Sequence, residues 1–136
     1  LPQDYADMLG WEALVAGVAE VYHALPPGER EAAVIGASNY GEAGAIDYFG
    51  PRHGLPRAVS AVGSYWFFGP GDLPGDVVIT VGDENEDIGP FFAEFNIVAR
   101  VRNPWGVPEQ QDTPIGIGRR PHQTLQQVWP SLAGRN

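Results

Sequence analysis

The tightest constraint on this chain is the order of three short segments near its middle. Residues 32–37 are an apolar run, bounded by charge before it and by Ser38 and Asn39 after it, and predict a buried strand. Residues 40–50 (Tyr-Gly-Glu-Ala-Gly-Ala-Ile-Asp-Tyr-Phe-Gly) are rich in small side chains and end on Gly50 and Pro51, which predicts a short, closely packed helix with a glycine stop. Residues 58–62 predict a second strand. Strand, helix and strand in that order make a right-handed βαβ unit, which requires a parallel sheet.

The rest of the chain extends this unit. Residues 77–81 are dominated by β-branched side chains and predict the clearest strand. Further strands are expected over 95–101 and 114–119, with a Pro- and Gly-bearing loop over 103–113 between them. Before the unit, Trp11, Leu14, Val15, Val18, Tyr22 and Leu25 recur at helical spacing, so residues 7–24 predict an amphipathic helix that stops at Pro26-Pro27-Gly28. Residues 124–129 predict a closing helix. The expected fold is a single soluble α/β domain over residues 1–136, a Rossmann-like layered sandwich with a mostly parallel sheet and helices on both faces.

Charge narrows the partners. There are 17 acidic against 8 basic residues, a net charge of −9, and every basic residue is arginine. Such a chain repels phosphate backbones and anionic headgroups, so nucleic acid and a peripheral membrane patch are not expected partners. With no cysteine there is neither a disulfide framework nor a thiolate metal site. Apolar runs such as residues 77–81 fall far short of the ~20 residues that span a bilayer. The chain opens on Leu1 rather than Met, which predicts a fragment whose anchor lies elsewhere.

A search for chemistry returns little that is catalytic. Ser38 stands at a strand-to-helix junction, but a nucleophile elbow needs Gly two residues on, and that position is Tyr40. Neither Gly41 and Gly44 nor Gly116 and Gly118 complete a dinucleotide fingerprint, and no cofactor is expected. His23, His53 and His122 lack ligand spacing, and the acidic run Asp83, Glu84, Glu86 and Asp87 lacks the calcium-loop pattern, so no metal is expected. Glu42 and Asp47, five residues apart, diverge on a helix and make no acid–base pair.

The junction reads better as a binding edge. Ligands of open parallel sheets settle outside the carboxyl ends of the strands, where Asn39, Tyr40 and Glu42 are expected to stand. Asn and Glu bond hydroxyls, and Tyr stacks on a sugar face; the plainer alternative is that Asn39 and Glu42 cap the helix and Tyr40 packs. Tyr65, Trp66 and Trp105 are further candidates for a carbohydrate platform, whereas Phe67 and Phe68 are expected in the core beneath a loop.

Several stretches carry a family resemblance. The opening residues 1–12, the stretch Asn39-Tyr40-Gly41-Glu42-Ala43-Gly44-Ala45-Ile46-Asp47, the segment Ser64-Tyr65-Trp66-Phe67-Phe68-Gly69-Pro70 and the ending from Arg119-Arg120-Pro121 to Trp129-Pro130 resemble the soluble C-terminal tail of bacterial membrane glycosyltransferases of the protein O-mannosyltransferase type, glycosyltransferase family 39. The segment Ile115-Gly116-Ile117-Gly118 is richer in glycine than that family's last strand. The resemblance implies a parent enzyme that moves a sugar from a polyprenyl-phosphate donor to an acceptor on the outer side of the membrane. It also implies that the catalytic acid and the lipid-phosphate site lie outside this chain, so no catalytic residue carries over. The expected role is an accessory domain on the extracytoplasmic face of the bacterial cell membrane. Its expected partners are the transmembrane part of the same polypeptide and a glycan or acceptor. Two alternatives stay open: a structural domain that packs on the membrane part without a ligand, and a free-standing small-molecule-binding protein.

Overall fold

The computed structural model describes residues 3–102 and 112–132, with side chains from residue 9 onward. Helix α1 (Gln3–Ala24) is followed by a six-residue helix α2 (Pro27–Ala32) and strand β1 (Ala33–Ala37). Helix α3 (Tyr40–Phe49) runs into a 3₁₀ turn (Gly50–His53) and a two-residue strand β2 (Ala58–Val59). A second 3₁₀ segment (Gly63–Phe68) precedes strand β3 (Val77–Val81) and helix α4 (Asn85–Ile88). Two long strands, β4 (Phe92–Arg102) and β5 (Asp112–Pro121), lead to helix α5 (Leu125–Val128) and a last 3₁₀ turn (Trp129–Leu132).

The elements form one α/β unit around a five-stranded mixed sheet in the order β2-β1-β3-β5-β4. The β1–β2 and β1–β3 pairs are parallel, as the βαβ reading requires. The β3–β5 and β4–β5 pairs are antiparallel. Nothing in the apolar pattern of β5 distinguishes the two directions, because a strand buried on both faces reads alike either way.

The expected amphipathic face of α1 is the one that packs. Leu14, Val15, Val18 and Leu25 are buried, and Trp11 and Tyr22 close over the same cluster. Pro26 and Pro27 end α1 as expected, but Pro27 also opens α2, where a missing N–H costs nothing at the first helical position. The Arg30 guanidinium then donates to the carbonyls of His23 and Leu25 at 3.1 and 3.0 Å, satisfying the C-terminal carbonyls of α1.

Strand alternation sorts the sheet into two faces. Ala33, Ile35, Ala37, Val77, Ile79, Val81, Ile115 and Ile117 point toward α1 and α3 and make the main core with Ala43 and Ile46. Opposite lie Val34, Gly36, Val78, Thr80, Gly116 and Gly118, on a face that carries only short helical turns. A register shift between Ile97 and Ala99 brings Ala99 and Val101 of β4 onto the core. Gly17 of α1 makes this approach possible, since a side chain there would stand 2.6 Å from Val101. Among the described residues no helix is long and apolar enough to cross a membrane.

Candidate functional site

The second face of the sheet holds a trough of about 240 Å³. Its floor is Gly36, Val59 and Val78, and Leu125, Val128 and Trp129 form a wall over it. At the carboxyl ends of the parallel strands it is lined by Ser38, Ser60, Thr80, Asp83 and Asp87. The chain places β2 on one side of β1 and β3 on the other, so these strand ends flank the point where the winding of the sheet reverses. That is where open α/β sheets receive ligands.

The wall is strapped down rather than loosely laid. Thr124 and Gln127 form a reciprocal capping box at the start of α5. Leu125 N–H donates to the Pro74 carbonyl at 2.8 Å, and the Gln126 side chain donates to the Gly71 and Leu73 carbonyls, both at 2.9 Å. The Trp66 indole donates to the Trp129 carbonyl and the Trp129 indole to the Trp66 carbonyl, each at 3.1 Å. Trp66, a candidate for a carbohydrate platform, therefore serves as half of a clasp that fixes the trough wall.

The residues read as a binding edge meet at the rim, and two of them act as a cap. Asn39 accepts from the Glu42 N–H at 2.8 Å. The Glu42 carboxylate accepts from the Ser38 hydroxyl at 2.8 Å and from the Ser38 N–H at 3.1 Å. Only 6% of Glu42 is exposed, and its pKa is pushed up to about 7. Burial is the larger cause; the bonds from Ser38 and Asn39 oppose it, and the charge of Asp83 reinforces it. Gly82, at φ +96°, lets the chain pass over this group: a side chain there would collide with the Ser38 hydroxyl and stand 2.6 and 2.7 Å from the Glu42 carboxylate oxygens.

Tyr40 does not pack inside. It is 66% exposed, and its ring faces Gly63, next to Val62 of the trough lining. Tyr65 is half-buried and donates to Asp47 Oδ2 at 3.2 Å, while the other Asp47 oxygen accepts from Ala58 N–H at 2.8 Å. Burial first, and then the Asp47 charge, hold the Tyr65 hydroxyl above its ordinary pKa. Tyr65 thus ties the 3₁₀ segment to α3 and β2, away from the trough. Trp105 lies outside the described residues.

One expectation is corrected. Phe67 and Phe68 are 80% and 67% exposed rather than core residues; a tight 3₁₀ segment turns only one side of itself inward, and Tyr65 and Trp66 occupy that side. The acidic run divides between two surroundings. Asp83 and Asp87 line the trough, whereas Glu84 accepts two bonds from Arg100 at 2.8 and 3.1 Å. The Arg100 bonds hold Glu84 below its usual carboxylate range.

The floor and wall of the trough were not singled out from the sequence. A signal was present: Gly36-Ser38 and Val78-Thr80 recur with period two, opposite to larger apolar residues. Small residues at alternate positions of adjacent strands leave one face of a sheet hollow. Gly116 and Gly118 account for their own place in β5, because the Phe95 and Phe92 rings fill the space that their side chains would take.

Comparison with family models, with curated proteins and with solved structures gives no match. The site is therefore read from its chemistry. Among the described residues no three His, Asp or Glu side chains converge to hold a metal ion. His23 Nε2–H instead donates to the His53 carbonyl at 2.6 Å. Ser38 is bonded to a carboxylate with no histidine between them, which leaves it without the base of a catalytic triad. What the trough offers is an apolar surface with three hydroxyls and two carboxylates at one end.

Proposed function

We propose that this chain is an accessory domain of a membrane-embedded glycosyltransferase that uses a polyprenyl-phosphate sugar donor, and that it contacts the glycan or acceptor. In this reading it stands on the extracytoplasmic face of a bacterial membrane, beside the transmembrane part of the same polypeptide, and carries no catalytic residue. The finer fold that goes with the reading is a reduced Rossmann-like sandwich, in which β2-β1-β3 with α3 is the parallel half.

The observation that carries the proposal is the position and lining of the trough. It lies at the carboxyl ends of β1 and β3, and Ser38, Ser60, Asp83 and Asp87 supply hydroxyl and carboxylate groups of the kind that bind sugar hydroxyls. The exposed Tyr40 ring beside it offers an apolar face for a pyranose. The resemblance in residues 39–47 and 64–70 supplies the class of parent enzyme.

The test is a ligand-observed NMR screen of the chain against monosaccharides and short oligosaccharides, repeated in Tyr40→Ala and Asp83→Asn. Binding that weakens in both folded variants is expected. No saccharide binding at millimolar concentration defeats the glycan-contacting role.

One observation favours a second reading, a structural domain that packs on its membrane part. Tyr40, Tyr48, Phe67 and Phe68 are 66–80% exposed, more large aromatic surface than a small acidic domain needs for itself. A blank saccharide screen shifts the assignment to that reading.

A further inference from the structure

The two ends of the trough differ in chemistry, and the difference selects a ligand. Toward the amino end of β3 the lining is Gly75, Val78, Leu125 and Val128, with Trp129 and Leu132 beside them. Toward the carboxyl end it is Ser38, Asp83 and Asp87. Between them lies Thr80, which is 2% exposed and whose hydroxyl has no hydrogen-bond partner among the described residues. That hydroxyl lies on the Gly116 side, where a side chain at Gly116 would stand 2.6 Å from it, so Thr80 separates the two ends of the trough without offering a donor to it.

Size and charge restrict what fits. A cavity of about 240 Å³ encloses a short aliphatic segment with a single ring at its mouth rather than a whole oligosaccharide. No basic side chain is among the lining residues, and two carboxylates stand at the polar end of a chain with net charge −9. A phosphate head is repelled there, whereas hydroxyls donate to the carboxylates and pair with Ser38.

Resting on the reading of the trough as a ligand site, we infer that it binds a neutral amphiphile. Its aliphatic chain lies over Gly36 and Val78, and its single sugar ring stands at Ser38, Asp83 and Asp87. The acceptor class that follows is a short-chain or chain-terminated glycoside, held by its apolar tail and read at its first sugar. The site exists because Gly36 has no side chain. A Cβ there would meet Val78 Cγ1 at an ordinary 3.5 Å, so a larger residue can stand on the floor without backbone strain and occupy the space of the ligand.

The experiment is isothermal titration of the chain with octyl β-glucoside below its micelle-forming concentration, methyl β-glucoside and octyl phosphate. Octyl β-glucoside is expected to bind at least ten-fold tighter than either of the others. Gly36→Leu is expected to remove the advantage of the octyl chain, and Asp87→Asn to strengthen octyl phosphate several-fold. Asp87 is exposed, so the second variant tests the head-group selection even where Gly36→Leu does not fold. Equal binding of octyl and methyl glucosides overturns the inference and leaves the saccharide reading standing. Octyl phosphate binding as tightly as octyl β-glucoside also overturns it. Binding of none of the three, together with a blank saccharide screen, removes both.

Discussion

The two faces of the sheet are made from the same strands but not from the same physics. On the α1–α3 side every alternate residue of β1 and β3 is apolar and buried, and Ile35, Ile79 and Val81 are fully excluded from water. On the other side the alternate positions are Val34, Gly36, Val78 and Thr80, with Ser38 just beyond β1, and what covers part of this face is a strapped segment of eight residues, Leu125–Leu132, with the rings of Phe92 and Phe95. The first face spends its area on stability, at roughly 25 cal/mol per Å² of apolar surface buried. The second leaves part of that area unfilled, as the trough. Tight packing and the trough are thus divided by the strand's period of two, not by separate parts of the chain.

The largest expected effect separates neighbouring residues. Ile79→Ala, on the helix-covered face, is expected to cost about 4 kcal/mol, and Val78→Ala, on the trough floor, about 1 kcal/mol, since only the first leaves a cavity that nothing can enter. Urea unfolding of both variants measures the gap; equal costs would mean that the trough side is as tightly packed as the core.

Next comes the pH response of the rim. The Glu42 pKa of about 7 exceeds the ordinary 4.5 of a glutamate, so the folded state holds a proton that the unfolded state releases between those values. Stability from this group is complete below pH 4.5 and is lost as pH rises through 7, on the order of 3 kcal/mol in total. Glu42→Gln retains an acceptor for Ser38 and is expected to flatten the decline between pH 5 and 8 in denaturation series. An unchanged slope would locate the titrating group elsewhere.

The smallest expected effect compares two glycines of the trough face. Gly116→Ala forces a side chain to within 2.6 Å of the Thr80 hydroxyl and 2.5 Å of the Phe95 ring, and is expected to cost about 2 kcal/mol. Gly36→Ala meets only Val78 at 3.5 Å and is expected to change stability by less than about 0.5 kcal/mol in either direction. Thermal melts of the two variants decide whether the hollow is centred on Gly36, as the structure has it, or extends under β5.

Much of the fold was legible because its cues are local. The helical spacing from Trp11 to Leu25 and the β-branched run Val77–Val81 each announce one period, and both elements stand where they were expected. The βαβ order of residues 32–62 carried the parallel pairing of β1 and β2. Helix α2 was missed because Pro26-Pro27-Gly28 reads equally as a stop and as a start. The junction residues were read in two ways, and the structure realises the capping one for Asn39 and Glu42 while leaving Tyr40 exposed. The Trp66–Trp129 clasp joins residues 63 positions apart, and no local pattern encodes it.

The sequence by itself determined the α/β class, the core face of α1, the parallel unit and the acidity that disfavours phosphate, since each follows from spacing or from a count of charges. Only the tertiary structure decided the antiparallel direction of β5, the burial that raises Glu42, and the trough. Strand direction, desolvation and a hollow all depend on which distant residues become neighbours, and that is set when the sheet closes on α1 at one face and on the strapped C-terminal segment at the other.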